Sequence, residues 1–106
     1  MDIRQLSDEM HRFVAAKGWY EADSARPQTP RNIATSLTLE AAEVLEHFQW
    51  GERGRDMPPA DRAELAAELA DVMLYLLQLA SLCDIDLEQA VLDKLKVNYG
   101  RTWDQP

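Results

Sequence analysis

Cysteine is almost missing from this 106-residue chain: Cys83 stands alone and cannot close an internal disulfide. It sits in an apolar helical run, which suits a reducing compartment and makes a cytoplasmic location the expectation. Four Gly and five Pro are too few for a fibrous, low-complexity or turn-dense all-β chain. Basic residues are scarce as well, eleven Lys and Arg against nineteen Asp and Glu, for a net charge of −8. Such a surface repels a polyphosphate backbone, so no nucleic-acid polymer is expected as a partner. The start, Met1-Asp2-Ile3-Arg4, lacks a secretory apolar stretch, and the longest apolar run, Val72 to Cys83, is broken by Gln78 and Ser81. Neither export nor membrane insertion is therefore expected. Period-two alternation of useful length is missing too, and no repeat at solenoid spacing is visible.

What is there is a globular balance, 46% apolar and 28% charged, in a length that suits one compact domain over residues 1–106. A chain this short buries roughly two-thirds of the surface it exposes when unfolded, so assembly into a homo-oligomer, a dimer or tetramer, is an expected source of further core. Ile3, Leu6, Met10, Phe13 and Val14 follow helical spacing up to Gly18, predicting a helix over residues 2–17. An aperiodic stretch from Trp19 to Pro30 reads as a surface loop. Thr29 and Pro30 then form an N-cap and first-turn proline for a helix reaching about Phe48, with Ile33, Leu37, Ala41, Val44, Leu45 and Phe48 as its apolar face. Asp61 to Cys83 predicts a long central helix, apolar nearly all round from Leu65 onward. Asp86 and Gln89 make a capping-box-like start for a fourth helix ending at Gly100, and the last six residues read as a tail. The fold class is all-α, in a four-helix bundle-like arrangement.

Four carboxylates do not fit an ordinary solvated face. Projected at about 100° per residue, Glu40 falls on the buried side of the second helix between Ile33 and Val44, with Glu43 at its edge and Glu46 pointing to solvent. In the third helix Glu68 projects among Leu65, Val72, Leu79 and Leu82, with Asp71 one turn along on the adjoining flank. Each helix thus carries an acidic pair at i, i+3, which places both acids on one side. Neutralising partners are missing nearby: no Lys or Arg occurs from Asn32 through Glu52 or from Ala63 through Asp93, which leaves His47, four residues after Glu43, as the local exception, with Arg residues of the first helix or Lys94 and Lys96 as candidate partners from elsewhere in the fold. Burying ionised carboxylates without a partner costs several kcal/mol even after relaxation, so four near one core call for raised pKa values or a strong cation. Carboxylate-only ligation is hard-ligand chemistry, suited to magnesium, manganese or calcium rather than zinc. Magnesium keeps waters and is commonly shared with a substrate phosphate, which points to phosphate chemistry. A carboxylate-bridged di-iron bundle needs Glu-x-x-His pairs on two helices, which His11 and His47 do not supply.

The ordered set Pro30-Arg31-Asn32-Ile33, Leu39-Glu40-Ala41-Ala42-Glu43-Val44-Leu45-Glu46-His47-Phe48-Gln49-Trp50 and Glu68-Leu69-Ala70-Asp71-Val72-Met73-Leu74-Tyr75-Leu76 resembles the MazG-like all-α nucleoside triphosphate pyrophosphohydrolases. Glu-x-x-Glu and Glu-x-x-Asp, separated by 24 residues, match the metal-binding signature of that family. The likeness is to its small dCTP pyrophosphatase branch and runs from about Leu6 through Trp103. It implies hydrolysis of a (deoxy)nucleoside triphosphate between the α and β phosphates to a monophosphate and pyrophosphate, in nucleotide-pool housecleaning. It implies that Glu40, Glu43, Glu68 and Asp71 hold Mg2+, with Mn2+ as a substitute, clamping the triphosphate and activating a water that Glu43 orients. By the same resemblance Lys94 and Asn98 contact phosphate and sugar, Arg101 adds a phosphate contact, and Trp19, Trp50 and Tyr75 enclose the base. For Lys94 and Arg101 the alternative is ordinary charge complementing a helix C-terminus. Trp103 has no such match and reads as tail packing. Leu39 stands where MazG proper often has a further Glu, and the loop from Tyr20 to Gln28 departs from the dCTP-specific pattern, leaving base preference open between dCTP and modified pyrimidines. The rival from another class is a non-catalytic helical interaction module whose acidic face is a divalent-ion-stabilised dimer surface.

Overall fold

Each helix begins where a side chain or a proline deals with the free backbone N–H groups of the first turn. In α1 (Ile3–Ala16) the Asp2 carboxylate accepts the Gln5 N–H and the Gln5 side chain accepts the Asp2 N–H, both at 2.8 Å, a reciprocal cap. α2 (Pro30–Glu46) starts as predicted, with Thr29 Oγ1 accepting the Asn32 N–H at 3.2 Å and Pro30 in the first turn. α3 (Pro59–Leu82) starts two residues before the predicted Asp61, because Pro59 needs no N–H partner at a first helical position. In α4 (Leu87–Tyr99) Asp86 accepts the Gln89 N–H at 3.1 Å. The Gln89 side chain donates forward to Asp93 at 2.8 Å instead of back to the cap, so half of the predicted capping box forms. Gly18 follows α1 at a φ of 74°, the left-handed conformation that glycine adopts without a Cβ clash. These elements belong to a computed structural model that describes residues 1–102; Trp103 lies outside the described residues.

α3 is the central element, with α2 and α1 packed along it. Met10 and Val14 of α1 close on Leu77 of α3, and Ile3, Trp19, Met73 and Leu87 pack around them. Ile33 of α2 is buried as its apolar spacing predicted, as is Met57 ahead of α3. By length and composition alone α3 would suffice to cross a membrane, which the interrupted run from Val72 did not suggest, because the alanines before it extend the apolar stretch. In the fold it is flanked by two helices and carries the buried, hydrogen-bonded Gln78.

A single chain does not reach the compactness expected of its length. Its radius of gyration is 16.9 Å, against about 13 Å for a typical domain of this size. Its accessible surface is 8416 Å², against roughly 6,000 Å² for a folded monomer of this mass. Apolar helix faces contribute to the excess. α4 contains no buried residue, and Val91, Leu92, Leu95 and Val97 stay about half exposed. Leu69, Leu74 and Leu76 of α3 are exposed as well, in line with an all-round apolar helix that its short neighbours do not cover.

Candidate active site

Because α2 packs along α3, the Glu40–Glu43 pair and the Glu68–Asp71 pair are brought together across the helix interface. The Glu40 carboxyl registers this closeness. Its pKa is pushed above the ordinary carboxylate range, first by burial, then by a hydrogen bond with Glu43 and by the negative charges of Glu43, Asp71 and Glu68. Its Oε2 is buried with no hydrogen-bond partner among the described residues. Glu40 and Glu68 are half-buried, whereas Glu43 and Asp71 are exposed. This agrees with the helical projection, which puts Glu43 at the edge of the buried face and Asp71 on the adjoining flank; both turn toward solvent, so two of the four acids, Glu40 and Glu68, are partly covered.

His47 also differs from its sequence reading. It stands at the C-cap of α2, and its Nε2 donates to Glu68 Oε2 of α3 at 2.5 Å instead of meeting Glu43 on its own helix. The pair is well covered, with the His47 side chain 11% exposed. Four carboxylates supported by one imidazole are a donor set suited to magnesium or manganese, and the orphaned Glu40 Oε2 is an acceptor that a cation would satisfy. As they stand, no three His, Cys, Asp or Glu side chains among the described residues close into a ligating cluster.

Beside the carboxylates lies a cavity of about 750 Å³ between α1, the loop ahead of α2, α2 and α3. Asp71 lines it and also belongs to the acidic group, so cavity and carboxylates share a wall. Trp19 and Tyr75, two of the three aromatics expected around a base, line it. Phe13 meets Trp19 edge-on at 5.7 Å, and the Arg26 guanidinium lies over the Trp19 ring at 5.3 Å, which holds the indole in place. Trp50 is elsewhere, 91% exposed in the turn after α2. Lys94 is exposed and Asn98 half-buried on α4, Arg101 follows that helix, and none of the three lines the cavity.

The sequence reading missed a string of hydrogen bonds that crosses from α1 to the cavity. Ser81 Oγ lies 2.7 Å from His11 Nε2, and His11 Nδ1 lies 2.5 Å from Tyr20 Oη. Gln78 Nε2 donates to Gln28 Oε1 at 2.7 Å and reaches Tyr20 Oη at 3.4 Å. Burial raises the Tyr20 hydroxyl pKa, and the Gln78 bond opposes that shift. A signal was present in the sequence: Gln78 interrupts an apolar run and stands three residues after Tyr75 and seven after Asp71, on one side of the helix.

Comparison with known proteins fits this geometry. Residues 35–103 match the MazG-like family. Human dCTP pyrophosphatase 1 is 39% identical over 104 residues, covering 94% of this chain and 56% of that protein. A dATP/dGTP diphosphohydrolase of Cyanophage S-2L is 41% identical over 44 residues, 42% of each chain. The chain thus spans about half the length of the curated relatives it matches. The crystal structure of a pyrophosphatase from Archaeoglobus fulgidus superposes with a TM-score of 0.73 at 33% identity, covering 96% of this chain and 92% of that one. Two facing acidic pairs on helices α2 and α3, within a fold shared with that structure, agree with the family match: this chain belongs to the MazG-like family.

Proposed function

We propose that this chain is a magnesium-dependent nucleoside triphosphate pyrophosphohydrolase, cytoplasmic and homo-oligomeric, acting in nucleotide-pool housecleaning on dCTP or a modified pyrimidine nucleotide. The observation that carries the reading is the wall shared by an acidic quartet and an aromatic cavity, with Asp71 in both. The names of the relatives point the same way. Glu40, Glu43, Glu68 and Asp71 would hold Mg2+, or Mn2+ in its place. Bound there, the metal supplies positive charge for the triphosphate and lowers the pKa of the attacking water. Water adds to the α-phosphorus, the bond from that phosphorus to the bridging oxygen breaks, and pyrophosphate leaves with that oxygen. Glu43, exposed at the edge of the group, orients the water and takes its proton. Trp19 and Tyr75 hold the base beside Asp71. Trp50, Lys94, Asn98 and Arg101 lie away from the cavity within one chain, so their contacts with base, sugar and phosphate would come with assembly. The exposed apolar side chains of α3 and α4 support that assembly, since large bare apolar patches mark interaction surfaces.

The test is pyrophosphate release from a panel of ribo- and deoxyribonucleoside triphosphates with Mg2+. Release from one or a few nucleotides is expected, abolished by EDTA and by Asp71→Asn. A folded, magnesium-loaded protein that releases none from any of them would leave either a modified nucleotide outside the panel or the interaction-module reading.

His47 gives this reading a second handle. A hydrogen-bonded carboxylate ligand is held in orientation, and losing such support typically costs about tenfold or more in metal affinity. His47→Ala is expected to weaken Mn2+ binding by that factor, read as free ion by electron paramagnetic resonance, and His47→Gln, which keeps an N–H donor, to restore most of it. Equal affinity in His47→Ala and the parent would show that the contact with Glu68 does not position a ligand.

A further inference from the structure

Gln78 is the buried polar side chain among the described residues, 2% exposed in the last turns of α3, and no step of the hydrolysis uses it. It shares a stripe of that helix with Glu68, Asp71 and Tyr75, at spacings of three, four and three residues. Asp71, Tyr75 and Gln78 all line the cavity. From Asp71 to Gln78 the helix rises about 10 Å, comparable to the reach of a nucleotide from its α-phosphate to the far edge of its base. The stripe therefore runs from carboxylates that suit metal and phosphate, past an aromatic ring that suits a base face, to an amide that suits a base edge.

The orientation of that amide is determined by its neighbours. Gln28 Nε2 donates to the backbone carbonyl of Arg26 at 2.7 Å, and a carbonyl can only accept, so Gln28 must turn Oε1 toward Gln78. Gln78 in turn must meet it with Nε2, at 2.7 Å. What Gln78 has left for a ligand is its acceptor, Oε1. Asn32, which lines the same cavity, is held in like manner: its Nδ2 donates to the carbonyl of Pro27 at 2.9 Å, which leaves Oδ1 and one N–H as its remaining groups.

We propose that Gln78, oriented by Gln28, is the specificity-determining residue of the cavity and selects bases that carry an exocyclic amine, 4-aminopyrimidines and 6-aminopurines, over their keto counterparts. The inference rests on the nucleotide-site reading and adds the feature of the base that is read. An amine donates to a fixed acceptor; a keto oxygen in the same place sets acceptor against acceptor and leaves a buried amide unpaired, which is how polar sites reject near-isosteric ligands. The remaining N–H of Gln28 is the complementary donor for the ring nitrogen beside the amine.

The experiment compares the parent protein with Gln78→Met, which keeps the volume and removes both polar atoms, and with Gln28→Met, in the more open loop. Binding of dCMP, dTMP, dAMP and dGMP with Mg2+ present is measured by calorimetry, and kcat/KM is measured for the four triphosphates. The parent is expected to favour the amino over the keto member of each pair, and Gln78→Met to reduce that preference about tenfold or more. Gln28→Met is expected to move the ratio in the same direction by less. A preference confined to dCMP over dTMP would assign the selection to pyrimidines, and one seen also for dAMP over dGMP would extend it to purines. An equal loss on all four ligands, or an unchanged ratio, would overturn the proposal by making Gln78 a packing residue. Because binding is read separately from turnover, amino-selective binding without pyrophosphate release would uphold this inference while the catalytic reading fails.

Discussion

Glu40→Gln is expected to abolish pyrophosphate release while raising the melting temperature of the metal-free protein. The reason is the raised pKa of Glu40, caused by burial, by its bond with Glu43 and by three neighbouring negative charges. A folded-state pKa above the unfolded value means that the folded protein binds more protons than the unfolded chain between those two values. Stability therefore falls as pH rises through that window, and above it the whole penalty of a charged Glu40 is present. Glutamine mimics the neutral acid, so the gain should be full at neutral pH and fade as pH falls, vanishing below the ordinary carboxylate range, where Glu40 is protonated in both states. A gain on the order of 1 kcal/mol is usual when a strained functional group is relieved, a shift of several degrees for a domain of this size. Calorimetric melting from acid to neutral pH in EDTA checks it. Saturating Mg2+ should reverse the order, because it binds the folded parent and not the variant. A fall in both melting temperature and activity in EDTA would make Glu40 a structural residue.

The second large effect concerns α4. Leu92→Asp combined with Leu95→Asp is expected to reduce the assembly to single chains, lower the melting temperature and remove turnover together. Both leucines are about half exposed in the single chain, on a helix with no buried residue. Fully burying a leucine side chain contributes roughly 1.5–3 kcal/mol, and with about half of each already covered the pair would add about that much on assembly, a large share of the stability of a small domain. The same effect should appear in the parent without mutation: its melting temperature should rise with protein concentration, as it does when folding is linked to assembly. Sedimentation mass and melting temperature across a range of concentrations check both statements. A parent that sediments as one chain and melts independently of concentration would remove assembly from the proposal.

The sequence alone was enough to establish which segments are helical and which acids are unusual. Helix boundaries were legible because caps and prolines act within three or four residues: Thr29 with Asn32, Asp86 with Gln89, and Gly18 after α1 are all local chemistry. The acidic pairs were legible because i, i+3 spacing determines a shared face whatever the helix later meets. Tertiary structure decided what depends on relations between helices. His47 was assigned to Glu43 by spacing and went to Glu68 across the interface, since helical periodicity carries no information about a neighbouring helix. The helical projection put Glu40 and Glu68 on buried faces with Glu43 at an edge and Asp71 on a flank, and the crossing of α2 and α3 decided how far each is covered, leaving Glu43 and Asp71 exposed. The string from Ser81 through His11 and Tyr20 to Gln78 and Gln28 joins residues up to 70 positions apart, and no local pattern announces it. The exposed leucines of α4 followed the same logic: periodicity showed an apolar face, and the fold showed that one chain does not cover it. Capping and periodicity are short-range and written into the chain, whereas coverage and long-range pairing follow from how the helices pack against one another.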